Sequence, residues 1–303
     1  MKKLIIVTDL DGTLLDANTY SFEPAIPALH LLKEKDIPLI ICSSKTRKEI
    51  EHYRKKLDNH HPFISENGGG IFIPKGYFEF KVQNSEFTVK DNENIISAKA
   101  GIQEDVDSRL RTAGMTEMRV FSGENDYYVI SLGAKYSDLR KAIMELHEEG
   151  FKVKGFGDMS AEELADIANM NLDEVKMAKE RDFDEPFIFE GDETQIQKLF
   201  AAIESKGFNY TQGRFFHILG NSDKGKAVSI LIDMFKRKLS QIITIAIGDS
   251  PNDMPMLEIV DYPVIVQKPD GSYDERIRIS GIRKASGIGP EGWNKAITEL
   301  INS

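Results

Sequence analysis

The segment Val7-Thr8-Asp9-Leu10-Asp11-Gly12-Thr13 decides the fold, because it joins an apolar strand to a pair of acids. The four apolar residues before it, Leu4-Ile5-Ile6-Val7, predict a short and fully buried strand. Open α/β sheets bind their ligands at the carboxyl ends of their strands, so we expect Asp9 and Asp11 to lie at a reactive site. Two neighbouring carboxylates repel each other, so one of them holds a proton or both share a cation. A solvated acidic turn is the alternative interpretation of the same pattern.

The composition is that of a soluble globular protein, with 41% apolar and 29% charged residues in a chain of 303. This length allows a large core together with a second, smaller domain. The net charge of −10 argues against a nucleic-acid partner. The single cysteine, Cys42, excludes an intrachain disulfide, and its apolar surroundings indicate a buried structural thiol. No stretch resembles a signal peptide or a membrane span, so we expect a cytoplasmic protein without a membrane partner.

Strands and helices alternate at the start of the chain. The sequence predicts a helix with an apolar side after the first strand, and a second apolar strand at residues 37–42. Thr46 and Glu49 fit a capping box that opens a basic helix. Residues 62–65 predict a third strand, which ends shortly before Gly68-Gly69-Gly70. This alternation predicts an α/β protein whose core is a Rossmann-like, doubly wound parallel sheet.

The alternation stops near Gly70. Residues 71–74 and 77–80 look like a hairpin, and residues 83–126 are polar with a possible helix at 105–113. A long irregular loop is uncommon inside a compact domain, so we interpret this stretch as part of an inserted unit. The rest of the insertion is expected to contain strands at 127–132, 151–156, 186–189 and 208–211, and helices at 138–149, 172–181 and 195–205. A further helix is expected to begin at Ser160, which forms a capping box with Glu163.

The sheet of the core resumes after the insertion. Its expected elements are a strand at 214–219, a helix at 224–238, a strand at 242–247, a final core strand at 262–266, and a helix from Gly292-Trp293. We therefore predict that residues 1–82 and 214–303 form the core and that residues 83–213 form an α+β cap domain.

Acidic residues follow two of the predicted core strands. Asp9 and Asp11 follow the first strand, whereas Asp249 and Asp253 follow the strand at 242–247. Several carboxylates without a nearby His or Cys select a hard cation that prefers oxygen ligands, so we expect Mg²⁺ rather than zinc.

One phosphate-binding pattern is incomplete. Residues 220–227 have the spacing of a P-loop, but Ala227 stands where a hydroxyl residue would hold Mg²⁺. The pattern therefore gives little support to an ATP or GTP hydrolase.

Four motifs, in this order, resemble the haloacid-dehalogenase superfamily of aspartate-nucleophile phosphatases. They are Asp9-Leu10-Asp11-Gly12-Thr13, Ser43, Lys224-Gly225-Lys226-Ala227 and Gly248-Asp249-Ser250-Pro251-Asn252-Asp253. The resemblance covers the whole core and the position of the cap. It implies hydrolysis of a phosphomonoester through an aspartyl-phosphate intermediate.

The resemblance also implies the catalytic roles. Asp9 is expected to attack phosphorus, and Asp11 to act as general acid and then as general base. Lys224 offsets charge on the phosphoryl group, and Ser43 donates a hydrogen bond to it. The ordinary alternatives are a serine at a helix entry and an exposed lysine.

The same resemblance implies the metal ligands. Mg²⁺ is expected to bind the Asp9 side chain, the Asp11 carbonyl and Asp249. Asp253 would act behind them or through water, and Asn252 would help to orient their loop.

Longer phrases resemble the mannosyl-3-phosphoglycerate phosphatases within this superfamily. They lie at residues 41–46, 63–68, 181–187, 214–217 and 289–293. The implied substrate is a small phosphorylated sugar–glycerate, mannosyl-3-phosphoglycerate, and the product is the compatible solute mannosylglycerate. Its glucosyl analogue is the nearest alternative. The residues expected to bind the substrate are Ser44, Lys45, Glu66, Asn67, Gly68, Arg181, Glu185 and Asn252.

Some of these residues have ordinary alternatives. The planar fork of Arg181 suits a carboxylate, but Arg181 and Glu185 are also spaced to pair with each other on a cap helix. His217 lies in an aromatic strand and is expected to be a core histidine rather than a ligand contact.

Two other functions share part of the pattern. A phosphomannomutase-like phosphosugar mutase has the same nucleophile, and a non-catalytic protein that binds a phosphorylated ligand would not need the intact set of acids. Residues 84–125 match no phrase of the group, and a longer cap, self-association or altered specificity are the open interpretations. We expect a monomer or a homodimer.

Overall fold

The structure is a computed structural model that describes residues 2–78, 95–97, 117–121 and 127–302. The chain divides into two compact units. The first contains residues 1–43, 61–64 and 223–303, and the second contains residues 44–60 and 65–222. The expected boundary at residue 82 and the expected helix at 105–113 lie outside the described residues, and the expected boundary at residue 213 stays a prediction.

The elements are numbered in chain order. The strands are β1 (Lys3–Thr8), β2 (Leu39–Cys42), β3 (Phe63–Ser65), β4 (Gly70–Pro74), β5 (Ile95–Ser97), β6 (Glu117–Phe121), β7 (Tyr127–Ser131), β8 (Val153–Gly155), β9 (Asp184–Phe189), β10 (Asn209–Gln212), β11 (Phe216–Leu219), β12 (Ile242–Gly248), β13 (Tyr262–Gln267) and β14 (Arg283–Ile288). The α-helices are α1 (Ile26–Glu34), α2 (Arg47–Leu57), α3 (Tyr136–Glu148), α4 (Ala161–Ala168), α5 (Leu172–Lys179), α6 (Glu193–Ser205), α7 (Lys224–Leu239), α8 (Met254–Leu257) and α9 (Pro290–Asn302).

The sheet of the first unit is parallel, and it confirms the predicted α/β class. Its strands stand in the order β14-β13-β12-β1-β2-β3. β1 is buried from Ile5 to Thr8, as expected of a parallel strand covered on both faces. The prediction that β13 is the final core strand is wrong, because β14 pairs with it. β14 is an edge strand in which only Ala285 is buried, so its sequence lacks an apolar run.

The second unit contains antiparallel strands. β4 pairs with β7 over five residues, from Gly70 opposite Ser131 to Pro74 opposite Tyr127. The predicted hairpin between 71–74 and 77–80 is therefore wrong for the described residues, since Tyr77 and Phe78 form a bend. β7 is apolar, and it pairs with β4 along the whole length of β4. β7 also pairs with β6, and β6 with β5.

A four-stranded antiparallel sheet in the order β10-β11-β9-β8 completes the second unit. Side chains of α3 and α6 pack with Phe187 and Ile218 in one cluster. Side chains of α4 and α5 pack in another cluster, beside Ile188. Since successive residues of a strand point to opposite faces, helices cover both faces of β9.

The strand predicted at 214–219 does not return to the parallel sheet. β11 pairs with β9 and β10 instead, and the second unit extends to Ser222. The apolar pattern of Phe216–Leu219 is correct for a buried strand but does not identify the sheet to which it belongs. No helix within the described ranges is long and apolar enough to cross a membrane.

Candidate active site

Three neighbouring parallel strands bring site residues to one edge of the first unit's sheet. Asp9 follows β1, Ser43 follows β2, and Asp249 follows β12, and β1 lies between the other two strands. The register aligns Thr8 with Ile247 of β12. Parallel strands that end together place the next side chains at a common edge, as the sequence predicted.

Lys224 is the positive centre of this edge. Its Nζ donates to Asp9 Oδ1 and to Asp253 Oδ1, each at 2.6 Å. The lysine is only 1% exposed, so the alternative of an exposed charge is wrong. Although burial lowers the pKa of Lys224, Asp253 and Asp9 raise it above its ordinary value. The lysine therefore stays charged.

The position of Lys224 follows from the local sequence. Asp223 caps α7 by accepting a hydrogen bond from the Lys226 amide at 2.7 Å, so the helix begins at Lys224. Gly225 is needed next to it, because a Cβ there would lie 2.3 Å from the Pro255 carbonyl oxygen. The first turn of α7 thereby lies close to the start of α8.

Asp253 organises the loop that carries Asp249. Asp253 Oδ2 accepts from the amides of Asp249 and Ser250 at 3.0 and 3.1 Å. Asn252 Oδ1 accepts from the Ser250 hydroxyl at 2.6 Å. Both oxygens of Asp253 are thus engaged, which favours a role behind the metal ligands rather than direct coordination.

Gly12 lets the first loop approach the second. It has a φ of +75°, and a Cβ at this position would lie 2.8 Å from Asp249 Oδ2. Thr13 follows and donates from Oγ1 to Asp249 Oδ1 at 3.2 Å. Asp11 is half-buried in this turn and forms a backbone bridge with Leu15. Its acid–base role stays a prediction.

The carboxylates fit a divalent cation. Oxygens of Asp9, Asp249 and Asp253 lie within 4.8 Å of one another. Burial raises the pKa of Asp9 to about 7, although Lys224 opposes the shift. Burial, together with Asp253 and Asp9, raises the pKa of Asp249 well above its ordinary value. Among the described residues, these three carboxylates face one lysine, so the ionised cluster carries an excess of negative charge that a hard cation would offset.

The two residues at the end of β2, Cys42 and Ser43, have clear local roles. Ser43 is fully buried and its amide donates to the Ile64 carbonyl at 3.1 Å, whereas Thr46 caps the following helix. The helix-entry interpretation of Ser43 is therefore wrong. Cys42 is buried, as predicted, and burial raises the pKa of its thiol, which keeps it protonated.

In the second unit, Glu66 holds a short loop. Its carboxylate accepts from the amides of Asp182, Phe183 and Asp184, with Oε2 at 3.0, 2.7 and 2.9 Å. The neighbouring Asn67 donates to Asp184 Oδ2 at 2.8 Å. The backbone from Glu66 to Gly68 has three successive positive φ angles, of +48°, +53° and +91°. Such strained backbone is typical of functional sites.

Arg181 is also bound within the second unit. Its Nε donates to Asp184 Oδ1 at 2.7 Å, and its NH2 group donates to the Ser44 carbonyl at 2.8 Å. Glu185 accepts instead from Arg140 and the Tyr136 hydroxyl, at 2.8 and 2.9 Å. The alternative of an Arg181–Glu185 pair on a helix is therefore wrong, because α5 ends at Lys179 and Glu185 lies in β9.

The other residues expected at the substrate also have local partners. Lys45 is 5% exposed and lies 3.2 Å from Glu49 in an ion pair. Ser44 offers its carbonyl to the arginine described above. Substrate contact by Ser44, Lys45, Glu66, Asn67, Gly68, Arg181, Glu185 and Asn252 stays a prediction.

Sequence reasoning missed Asp184, which is the centre of a buried polar network. This residue is 0% exposed and binds Arg181, Asn67 and His217, the last at 3.0 Å. Although burial opposes the shift, Arg181 and His217 lower the pKa of Asp184. His217 is a buried core histidine, as predicted. An acid at the start of an apolar strand was the signal that could have identified Asp184.

Aspartates and a buried lysine lie at the carboxyl edge of a parallel sheet, which is where α/β proteins bind their ligands. The chain belongs to the haloacid dehalogenase-like hydrolase family, whose model matches residues 6–271. This membership confirms the family that the four motifs predicted.

Individual relatives cover nearly the whole chain. A glucosyl-3-phosphoglycerate/mannosyl-3-phosphoglycerate phosphatase of Methanococcoides burtonii is 44% identical over 301 residues, which are 99% of this chain and 97% of that one. A mannosyl-3-phosphoglycerate phosphatase of Pyrococcus horikoshii is 37% identical over 263 residues, covering 86% and 90% of the two chains. A crystal structure from Thermoplasma acidophilum has the same fold, with a TM-score of 0.63, 16% identity and full coverage of both chains.

Proposed function

We propose that this protein is a Mg²⁺-dependent phosphatase that converts mannosyl-3-phosphoglycerate to mannosylglycerate. The observation that carries the proposal is the buried Lys224–Asp9 pair within an aspartate cluster, in a chain 44% identical to a phosphatase named for glycosyl-3-phosphoglycerates. Because that relative is named for both sugars, the glucosyl substrate is the nearest alternative. We further propose a cytoplasmic monomer or homodimer.

Asp9 is the proposed nucleophile. Its carboxylate forms a bond to phosphorus while the bond from phosphorus to the glycerate oxygen breaks. Lys224 holds Oδ1, which fixes the orientation of the carboxylate, and its charge offsets that of the phosphoryl group. Ser43, at the end of the neighbouring strand, would donate a hydrogen bond to a phosphoryl oxygen.

Asp11 is the proposed general acid and base. A proton from Asp11 goes to the departing glycerate oxygen in the first step. Water then attacks the aspartyl-phosphate and gives its proton to Asp11, which restores both residues and releases phosphate.

The oxygen donors of the cluster suit Mg²⁺. Asp9, Asp249 and the Asp11 carbonyl would hold the ion, and Asp253 would keep the Asp249 loop in place. When bound, the ion would supply positive charge that lets an anionic carboxylate approach an anionic phosphate.

A panel of phosphoesters tests the proposal. With Mg²⁺ present, mannosyl-3-phosphoglycerate or its glucosyl analogue should give the highest kcat/KM for release of free phosphate. Asp9→Asn should abolish this release, whereas Asp36→Asn, at a side chain 92% exposed, should leave it unchanged. Higher kcat/KM for simple hexose phosphates would overturn the substrate, and an isomerised sugar phosphate would indicate a mutase.

A further inference from the structure

Trp293, the single tryptophan of the chain, is hydrogen-bonded to the end of β1, the strand that precedes Asp9. The residue lies in the first turns of α9 and is fully buried. Its indole Nε1 donates to Thr8 Oγ1 at 3.0 Å. A buried indole N–H usually finds an acceptor, so the bond itself is ordinary. The acceptor is informative, because Thr8 directly precedes Asp9.

The bond gives the Thr8 hydroxyl a fixed direction. An indole N–H can only donate, so Thr8 Oγ1 must accept, and its own proton is left for another acceptor. That acceptor is the Asp9 carbonyl oxygen, 2.7 Å away. The Asp9 amide donates to the Ile247 carbonyl at 3.0 Å. Both backbone polar groups of Asp9 are therefore held, one by β12 and the other by Thr8.

The same C-terminal segment also lies against the next turn. Gly289 has a φ of +47°, and a Cβ there would lie 3.2 Å from the Gly12 carbonyl oxygen. The Trp293 amide donates to the Gly289 carbonyl at 2.9 Å, which ties this contact to the start of α9. The start of α9 thus supports both Asp9 and the turn that carries Asp11.

We propose that Thr8 and Trp293 are positioning residues for the nucleophile, an inference that rests on the proposed role of Asp9. Their two successive hydrogen bonds orient the peptide between Asp9 and Leu10. Asp9 is thereby aimed at the phosphate, and the direction of the chain toward Asp11 is fixed. Neither side chain is proposed to contact the phosphate. Their loss should therefore lower kcat with little change in KM.

Thr8→Val removes the hydroxyl while nearly conserving shape, and Trp293→Phe removes the N–H donor. With p-nitrophenyl phosphate and Mg²⁺, each variant should lower kcat about 3- to 10-fold, the range expected for one hydrogen bond. KM should stay within about twofold of the wild-type value. Thr8→Ser keeps the hydroxyl, so its kcat should stay near the wild-type value. Thr8→Val breaks both bonds and Trp293→Phe breaks only the first, so the double variant should be no slower than Thr8→Val alone.

Ile297→Val is the matched control. Ile297 is buried four residues further along α9, so this change should lower the melting temperature without lowering kcat. A second readout is the emission of Trp293, which no other tryptophan obscures. Vanadate, a phosphate analogue, is added together with Mg²⁺. It should change the emission of the wild-type enzyme and should change the emission of Thr8→Val less.

The outcomes separate two kinds of failure. If Asp9→Asn remains active, the proposed nucleophile is wrong and this inference falls with it. If Asp9→Asn is inactive while folded Thr8→Val keeps the wild-type kcat and emission response, only the positioning role is overturned. If Trp293→Phe does not fold, Thr8→Val alone still tests whether these hydrogen bonds position Asp9.

Discussion

Replacing Lys224 by methionine removes the positive charge of the site and keeps most of the side-chain volume. In the structure, Lys224 Nζ lies 2.6 Å from one oxygen of Asp9 and 2.6 Å from one oxygen of Asp253. All three side chains are at least 90% buried. Lys224→Met therefore leaves two buried carboxylates without their cation.

The size of the effect follows from these contacts. Removing one partner of a buried ion pair costs about 3–5 kcal/mol, so the free energy of unfolding in EDTA should fall by about that amount. Removing a donor to charge that develops on the reacting group lowers kcat about 10²- to 10³-fold. Urea unfolding and steady-state kinetics with Mg²⁺ measure the two effects separately.

The loss of stability should also depend on pH. Without Lys224, the pKa of Asp9 rises further above its value in the unfolded chain, since the lysine lowers it. The folded variant then binds a proton that the unfolded chain releases above about pH 4, so its stability falls as the pH rises. The deficit relative to the wild type should be smaller at about pH 5 than at about pH 8.

Lys226→Met is the control for this variant. Lys226 lies on the same helix with a side chain 40% exposed and an Nζ 3.5 Å from Asp223. Such surface pairs are worth about 0–1 kcal/mol, so stability and kcat should stay near wild type. A folded Lys224→Met enzyme with kcat within about tenfold of wild type would refute the reasoning.

Three further changes test other contacts. Gly12→Ala places a Cβ 2.8 Å from Asp249 Oδ2 and should lower both kcat and the melting temperature. Gly76→Ala is the control, because Gly76 has a similar φ of +80° but a Cβ there meets nothing within 4 Å. Equal losses in the two variants would show that the clash with Asp249 is unimportant. Burial raises the pKa of Asp9 to about 7, so the metal-free protein loses the stability that the bound proton provides as the pH rises through this value. Mg²⁺ binds the deprotonated carboxylate, so saturating Mg²⁺ should raise the melting temperature more at about pH 8 than at about pH 5.5. The same shift at both pH values would argue against metal binding by Asp9. Asp184→Asn removes the nearer carboxylate partner of the buried Arg181, which keeps Glu66 Oε2 at 3.9 Å. This change should cost about 3–5 kcal/mol in urea unfolding, and an unchanged midpoint would contradict the network.

Much of the core could be predicted from local sequence. β1 and β12 are apolar runs, each followed directly by an aspartate. Apolar runs predict buried parallel strands, and ligand sites lie at the carboxyl ends of such strands, so both the burial and the shared edge could be predicted. The capping box of α2, with Thr46 and Glu49, was predicted because its two hydrogen bonds join residues three apart. Such features depend on neighbours in the chain.

The errors concern partners that are distant in sequence. β11 has the apolar pattern of a core strand, but pairing with β9 decides its sheet, and that choice depends on residues 184–189. Asp184 was missed for a similar reason, since His217 and Asn67 reach it from other elements. Periodicity identifies a buried strand but not its neighbours.

Trapping of the phosphorylated enzyme tests the central claim most directly. Borohydride reduces an aspartyl-phosphate to homoserine, and mass spectrometry of the digested protein locates the change. With substrate and Mg²⁺, we predict homoserine at position 9 during turnover and none without substrate. Reduction at another aspartate, or at none while phosphate is released, would contradict the role of Asp9.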